Sequence, residues 1–145
     1  MSTSGKETER RRRFDEVVGV FHKDIYRYAA WLSRDPGIAE VVVQETLLRA
    51  WKSLDSLEKD DAARRWLLTI TRRENARYFE RKRPETVDID ELTPGQSAMV
   101  AAEHDPALED LRRAILGLKD EYREPLLLQV LMGYSTREIA ELLDL

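Results

Sequence analysis

The sequence contains no cysteine, only two histidines, and no apolar run long enough to cross a membrane. The absence of cysteine excludes disulfides, thiolate zinc sites and cysteine nucleophiles. His22 and His104 lie far apart, without ligand-like neighbours at metal spacing, so neither supports a zinc site or a general base. No signal-type start is present, so we expect a cytoplasmic protein. We predict no metal, no cofactor and no catalytic constellation.

The sequence also lacks strand-type alternation of useful length, and it has no internal repeat. Apolar residues instead recur every three or four positions from Phe14 to Leu32, as in an amphipathic helix. Asp35 and Pro36 predict the start of a second helix that runs to about Leu54. A third helix, capped by Asp60 or Asp61, carries its apolar residues on one side: Ala63, Trp66, Leu67 and Ile70. The predicted fold class is therefore all-α.

The C-terminal part has helix signals of its own. Asp105 and Pro106 repeat the pattern of an N-cap followed by proline, and a further helix is predicted from Asp120 to Leu131. Gly133 ends that helix. Ser135 and Glu138 have the spacing of a capping box, which predicts one more helix at the C-terminus.

The net charge of −4 conceals a strongly uneven distribution. The segment 64–83 carries eight Lys and Arg against two Glu, whereas the segment 84–110 carries eight Asp and Glu and no basic residue. Fixed cations that face one way suit phosphate contacts, and arginine offers a planar fork for phosphate oxygens. A solvated charged face is the alternative interpretation.

These signals divide the chain into four parts. Residues 1–13, with the run Arg10-Arg11-Arg12-Arg13, are predicted to be a mobile basic arm. Residues 14–83 form a helical module, 84–104 form an acidic linker, and 105–145 form a second small helical module. We therefore predict two small modules on a flexible tether.

Two ordered motifs resemble a known family. The segment Ala39-Glu-Val-Val-Val-Gln-Glu-Thr-Leu-Leu-Arg-Ala-Trp51, followed by Trp66-Leu-Leu-Thr-Ile-Thr-Arg-Arg73, resembles region 2 of extracytoplasmic-function (ECF) sigma factors of the bacterial sigma-70 family. The C-terminal segment Tyr134-Ser-Thr-Arg-Glu-Ile-Ala-Glu-Leu-Leu-Asp-Leu145 resembles the first helix of the region 4 helix-turn-helix in that family. The resemblance covers nearly all of the chain from Phe14 onward.

The resemblance implies a transcription initiation factor that is not an enzyme by itself. Its implied partners are core RNA polymerase, at the clamp of the largest subunit, the single-stranded nontemplate strand of the promoter −10 element, and an anti-sigma factor. In the family, the loop before the basic helix captures an extruded base, which costs a few kcal/mol. The DNA-binding residues implied here are Asp55, Ser56, Leu57, Lys59, Arg64, Arg65, Arg72, Arg73 and Arg77.

The polymerase-binding residues implied by the resemblance are Gln44, Glu45, Leu48 and Arg49. A surface helix with an internal Glu45–Arg49 ion pair is the alternative for the charged members of this set. The chain departs from the family pattern at three positions, with Val41 for the usual Asp, Arg73 for the common Asn, and Arg77 where Asp is frequent. Trp31, Trp51 and Trp66 have apolar neighbours at helical spacing, which favours a core position over base stacking.

Two other functions fit parts of the sequence. A sigma-like helical regulator would titrate an anti-sigma factor or polymerase without initiating transcription. A helix-turn-helix repressor would use residues 106–145 alone, although such a motif reads bases with its second helix. Leu145 falls where the turn and recognition helix of the family would follow. We therefore expect an incomplete region 4-like module that cannot recognise a −35 element and is marginally stable alone.

Overall fold

The computed structural model describes residues 2–81 and 106–145, and it describes side chains for 5–81 and 109–145. These residues form six α-helices, two single-turn 3-10 helices and no strand, so the prediction of an all-α fold is confirmed. The acidic linker predicted for 84–104 lies outside the described residues. Helices α1 to α6 span Ser2–Ser33, Pro36–Lys52, Ala63–Arg81, Pro106–Leu116, Asp120–Val130 and Thr136–Leu143.

The predicted helix starts at Pro36 and after Ser135 are confirmed. The Asp35 carboxylate accepts hydrogen bonds from the backbone N–H groups of Gly37, at 2.8 Å, and Ile38, at 3.2 Å. Ser135 and Glu138 form both hydrogen bonds of a capping box at the start of α6. These side chains occupy donors that the first turn of a helix leaves without an intrahelical partner.

The turn that precedes α6 depends on a glycine. Gly133 follows α5 with φ at 69°, in the left-handed region that side chains with a Cβ rarely adopt. Its position after the helix agrees with the predicted helix end. This turn directs α6 back against the preceding helices.

Helices α1, α2 and α3 pack around one apolar core, which we call the three-helix core. Ile25 of α1, Val42 of α2 and Leu67 of α3 lie at its centre and have almost no exposed surface. Small residues let the helices approach one another closely, and each of the three helices contributes at least one fully buried alanine: Ala29, Ala39, Ala50 and Ala63.

The N-terminal arm differs from the expectation of a mobile segment. Residues 2–13 are the first turns of α1, which continues without interruption to Ser33. The side chains of Arg10 and Arg13 contact residues between Trp51 and Asp60, far along the chain. These long-range contacts give the arm a packing surface that no apolar residue in segment 2–13 provides.

The C-terminal helices pack against α1 and α3. One side of this contact is formed by Tyr28, Leu32 and Leu68, which join residues of α5, α6 and the turn between them in a second apolar cluster. Trp31 of α1 contacts Ile115 and Leu127 in a third cluster. The residues from the C-terminal side of the second cluster are Leu128, Met132, Tyr134, Ile139 and Leu142.

This packing differs from the tethered arrangement that we expected. Ile139 and Leu142, two apolar residues of α6, are 7% and 5% exposed. Their partners come both from the C-terminal module itself and from two helices of the three-helix core, α1 and α3. The physical reason is that these two helices are apolar on more than one face.

Two tyrosine hydroxyls are buried in the second cluster without a hydrogen-bond partner among the described residues. They belong to Tyr28 and Tyr134. Burial raises the pKa of Tyr28 well above its ordinary value, and the nearby Glu124 carboxylate raises this pKa further. Burial also raises the pKa of Tyr134. An unpaired buried hydroxyl costs free energy, so the contact between the modules contains a local destabilising element.

We expect Tyr28→Phe to raise the free energy of unfolding by about 1 kcal/mol at neutral pH, because it removes an unpaired buried hydroxyl and keeps the ring. Tyr26→Phe is the matched control, since Tyr26 is half-buried and packs against the three-helix core. Urea denaturation, monitored by circular dichroism, measures the free energy of unfolding of both variants. A clear loss of stability in Tyr28→Phe would contradict this prediction.

The unmodified protein and the Tyr28→Phe variant should also differ in how their stability responds to alkaline pH. Above the ordinary tyrosine pKa of about 10, the unfolded chain releases a phenolic proton that folded Tyr28 retains. The raised pKa of Tyr28 therefore stabilises the fold below about pH 10, and this contribution is lost as the pH rises further. We expect the stability advantage of Tyr28→Phe to widen above that pH. A constant difference would show that Tyr28 ionises equally in both states.

Candidate nucleic-acid interface

The α2–α3 loop, residues 53–62, is an ordered surface anchored by two leucines. It contains the 3-10 turns Leu54–Ser56 and Asp60–Ala62. Leu54 and Leu57 are 1% and 3% exposed and belong to the three-helix core. The side chains of Asp55 and Ser56, between these anchors, and of Lys59, after them, are exposed. The loop thus presents polar groups on a fixed backbone.

A cavity of about 440 Å³ separates the loop from the first half of α3. Ser56, Leu57 and Lys59 line the loop side, and Arg65 and Arg73 are among the α3 residues that line the other side. The structure therefore brings together five of the residues that sequence comparison implied for DNA binding. The remaining lining residues are Glu58, Ala62, Trp66 and Thr69.

Trp66 and Thr69 are cavity residues that the sequence reasoning did not assign to the site. The Trp66 indole N–H donates to the Ser56 hydroxyl at 3.2 Å, so the ring joins α3 to the loop. Trp66 packs against the three-helix core with one part and lines the cavity with another. The spacing of Arg65, Thr69 and Arg73, at four-residue intervals on α3, is the signal that could have identified Thr69.

A second cavity, of about 230 Å³, continues along α3. It shares Ser56, Trp66, Thr69 and Arg73 with the first cavity. Its further lining residues come from α2, from the start of the loop and from α3: Arg49, Ser53, Ile70, Glu74 and Arg77. The two cavities form one polar track, which we call the α3 track.

The arginines of α3 differ in the partners they have. Arg73 lines both cavities and forms no ion pair with any residue in the described part of the chain. Arg65 pairs with Glu141 of α6, and Arg72 pairs with Glu124 of α5 at 3.0 Å. The C-terminal helices thus place carboxylates on two cations that were expected to face phosphates.

Arg64 is directed away from the α3 track. Its guanidinium donates to Asp24 of α1 at 3.0 Å and lies 4.8 Å from the ring centre of Tyr134. It also approaches the Met132 sulfur at 3.4 Å. These contacts link α1, α3 and the C-terminal module, so Arg64 has a structural role in this arrangement.

Glu74 is a buried carboxylate held by two arginines. It is 3% exposed and lies 3.4 Å from Arg49 of α2 and 3.0 Å from Arg77 on its own helix. A buried charge is tolerated when it is paired and hydrogen-bonded. Arg49 therefore pairs with Glu74, rather than with Glu45 as the surface-helix interpretation proposed.

Helix α2 presents an exposed stripe on the side away from the three-helix core. Val41, Gln44 and Leu48 follow at three- and four-residue spacing, and Leu48 is 56% exposed. Glu45 beside them is half-buried. An exposed mixture of aliphatic and amide side chains is suited to a protein partner.

The described residues contain no group of three or more His, Asp or Glu side chains that could hold a metal ion. No helix in the same part of the chain is long and apolar enough to cross a membrane.

Two family descriptions match the chain. Sigma-70 region 2 matches residues 17–85, and Sigma-70, region 4 matches residues 108–145. The first covers α2, the loop and α3, and the second covers most of the described C-terminal helices. The two matches, in this order along the chain, identify a sigma-type protein.

Relatives narrow this class further. The ECF RNA polymerase sigma factor SigL of Mycobacterium tuberculosis is 35% identical over 144 residues, with 90% of this chain and 73% of the relative covered. SigM of Bacillus subtilis is 25% identical over 134 residues, with 90% and 82% covered. The probable sigma-C factor of Mycobacterium bovis is 32% identical over 137 residues, with 89% and 70% covered. The chain therefore belongs to the ECF group of sigma-70 factors, which are in general regulators of transcription initiation and not enzymes.

We expect Arg49→Glu to lower the free energy of unfolding by about 1–2 kcal/mol, because it places a negative charge beside the buried Glu74 carboxylate. The effect is limited because Arg49 is half-exposed and Arg77 remains. Gln44→Ala is the control on the same helix. Urea denaturation of both variants measures the difference, and equal stabilities would show that the Arg49–Glu74 pair contributes nothing.

Proposed function

We propose that this sigma factor binds core RNA polymerase through the exposed stripe of α2 and captures one base of the −10 nontemplate strand in the loop cavity. The observation that supports the proposal most is the cavity of about 440 Å³ between the loop and α3. Its volume lies within the range of about 300–1,000 Å³ found for small-ligand sites.

The lining of the cavity suits an extruded base. The Trp66 ring offers an aromatic surface. The Ser56 and Thr69 hydroxyls donate to the backbone carbonyls of Ser53 and Arg65, so they can accept hydrogen bonds from a base edge. Lys59 and Arg73 stand at its sides, where they can meet backbone phosphates. Leu57 is buried, so it supports the cavity from below and leaves direct base contact to the polar residues.

Carboxylates of the C-terminal helices compete with DNA phosphates for two arginines of α3. Glu141 and Glu124 occupy Arg65 and Arg72, so phosphates must replace them before these two arginines can contact DNA. Both pairs are partly exposed, and exposed ion pairs contribute little to stability. The exchange of a carboxylate for a phosphate therefore has a small intrinsic cost, and it depends on salt.

Membership of the ECF group also supports proposals about an anti-sigma partner, the location of the protein and its division into modules. An anti-sigma factor would cover the α2 stripe or the α3 track, and the protein would act with polymerase in the cytoplasm. We propose the division into residues 14–83 and 105–145 as the functional modules, joined by the acidic segment 84–104. The largest-subunit clamp is the proposed polymerase contact of the α2 stripe.

We expect Arg73→Ala to weaken binding of single-stranded −10 DNA about equally across sequences and to reduce the salt slope by about one phosphate contact. Ser56→Ala and Thr69→Ala should instead change the preference for one base, because their hydroxyls line the cavity. Fluorescence anisotropy with an oligonucleotide set that varies one position at a time measures both effects.

The control is Arg27→Ala, which removes one exposed cation of α1 outside both cavities. The double change Glu124→Gln with Glu141→Gln should raise DNA affinity, most strongly at low salt. An unchanged base profile in both hydroxyl variants would contradict base capture in this cavity. If the protein binds core polymerase but does not open promoters, the alternative of a sigma-like regulator that titrates polymerase or an anti-sigma factor is favoured.

We expect Leu48→Glu to weaken association with core polymerase at least tenfold, since it places a charge in the exposed stripe that the partner would cover. Val20→Glu is the matched control, because Val20 is an aliphatic residue of α1 that is 71% exposed. Competition binding to core enzyme measures the affinity, and circular dichroism checks the helix content. Equal affinity of the two variants would place the polymerase contact elsewhere.

A further inference from the structure

The arginine run at the start of α1 holds the segment that carries the cavity. Arg10 and Arg13 lie three residues apart on one face of the helix, and both reach the region from Trp51 to Asp60. Their neighbours point elsewhere: Arg12 pairs with Glu9 and Glu16 of its own helix, at 3.8 and 3.5 Å. Arg11 is exposed.

Arg10 contacts the end of α2, where the loop begins. Its guanidinium donates to the backbone carbonyl of Trp51 and lies 4.3 Å from the centre of the Trp51 ring. Its Nε lies 3.7 Å from the Asp55 carboxylate. The Trp51 carbonyl belongs to the last turn of α2, where backbone carbonyls lack a hydrogen-bond donor within the helix. The Arg10 cation therefore caps this end of α2 and interacts favourably with the negative end of the helix dipole.

Arg13 contacts the middle and the far end of the loop. Its guanidinium donates to the backbone carbonyl of Leu57 and forms an ion pair with Asp60 at 3.1 Å. Leu57 is the buried anchor between the two 3-10 turns, and Asp60 begins the second turn. Arg13 therefore connects both halves of the loop to α1.

We propose that Arg10 and Arg13 are positioning residues that hold the α2–α3 loop in the form that leaves its cavity open. This inference rests on the proposed function for its consequence in DNA binding. The loop has few backbone hydrogen bonds of its own, including Leu57 N–H to Leu54 at 3.0 Å and Ala62 N–H to Lys59 at 3.1 Å. Beside the buried leucines and the hydrogen bond from Trp66 to Ser56, side chains from α1 supply further attachments. A loop that is ordered before binding avoids the entropy cost of ordering during it.

Hydrogen exchange of the full chain tests the positioning role directly. Arg13→Ala and Arg10→Ala should speed exchange of the loop amides, such as those of Leu57 and Ala62, by about tenfold. Arg11→Ala and Arg12→Ala are matched controls that remove the same charge from the same run. Exchange in the loop that is equally fast in Arg12→Ala and Arg13→Ala would overturn the proposal.

A DNA measurement separates positioning from direct contact. The two probes are a single-stranded −10 oligonucleotide and the same oligonucleotide with an abasic site at the captured base. Arg13→Ala should reduce the ratio of the two affinities by roughly fivefold, whereas Arg12→Ala should lower both affinities alike. Arg13→Lys should restore part of the ratio, because an ammonium can donate to the Leu57 carbonyl without forming the full fork.

The outcomes distinguish this inference from the proposed function. If Arg13→Ala lowers both affinities equally and leaves loop exchange unchanged, Arg13 binds phosphate and the positioning role is wrong. If the unmodified protein binds both oligonucleotides equally, base capture is wrong, and the exchange data alone decide whether Arg10 and Arg13 hold the loop.

Discussion

The close packing of α3 between α1 and α2 is the constraint on which the other features depend. It fixes Leu67 in the three-helix core and turns Arg65, Thr69 and Arg73 outward along the α3 track. The fully buried alanines permit this approach, and they leave no room for larger side chains. The same packing brings Glu74 between Arg49 and Arg77, so one buried charge connects α2 with the second half of α3. A shift of α3 would therefore change the cavity and the ion pairs together.

Helix α3 is apolar on two neighbouring faces, and this accounts for the position of the C-terminal helices. Leu67 enters the three-helix core, whereas Leu68 enters the cluster with Ile139 and Leu142. The C-terminal module covers an apolar surface of α3 and at the same time brings Glu141 and Glu124 to its arginines. The packing that stabilises the chain thus also limits the access of a ligand to part of the α3 track. The unpaired hydroxyls of Tyr28 and Tyr134 reduce the free energy gained from this contact.

Structural features that depend on residues close in sequence, such as helix caps, could be predicted. Contacts between residues far apart in sequence could not. The N-cap at Asp35 and the capping box at Ser135 depend on residues within three positions, so their spacing identified them. Arg13 has its partner 47 positions away at Asp60, and no local pattern distinguishes it from Arg12. The loop was correctly placed before α3, but the cavity also needs Trp66, whose apolar neighbours indicated only a core position. The adjacent pair Leu67 and Leu68 was the available sign that α3 has two partners.

The three tryptophans of the chain occupy three different contacts, which makes them separate optical reporters. Trp51 lies under Arg10 and edge-on to Phe14, with ring centres 5.3 Å apart, so its emission reports on the start of α1. Trp66 lines the cavity, and Trp31 is covered by Ile115 and Leu127. Proteins that retain one tryptophan each would therefore resolve the arm, the cavity and the C-terminal helices by intrinsic fluorescence, with no attached dye.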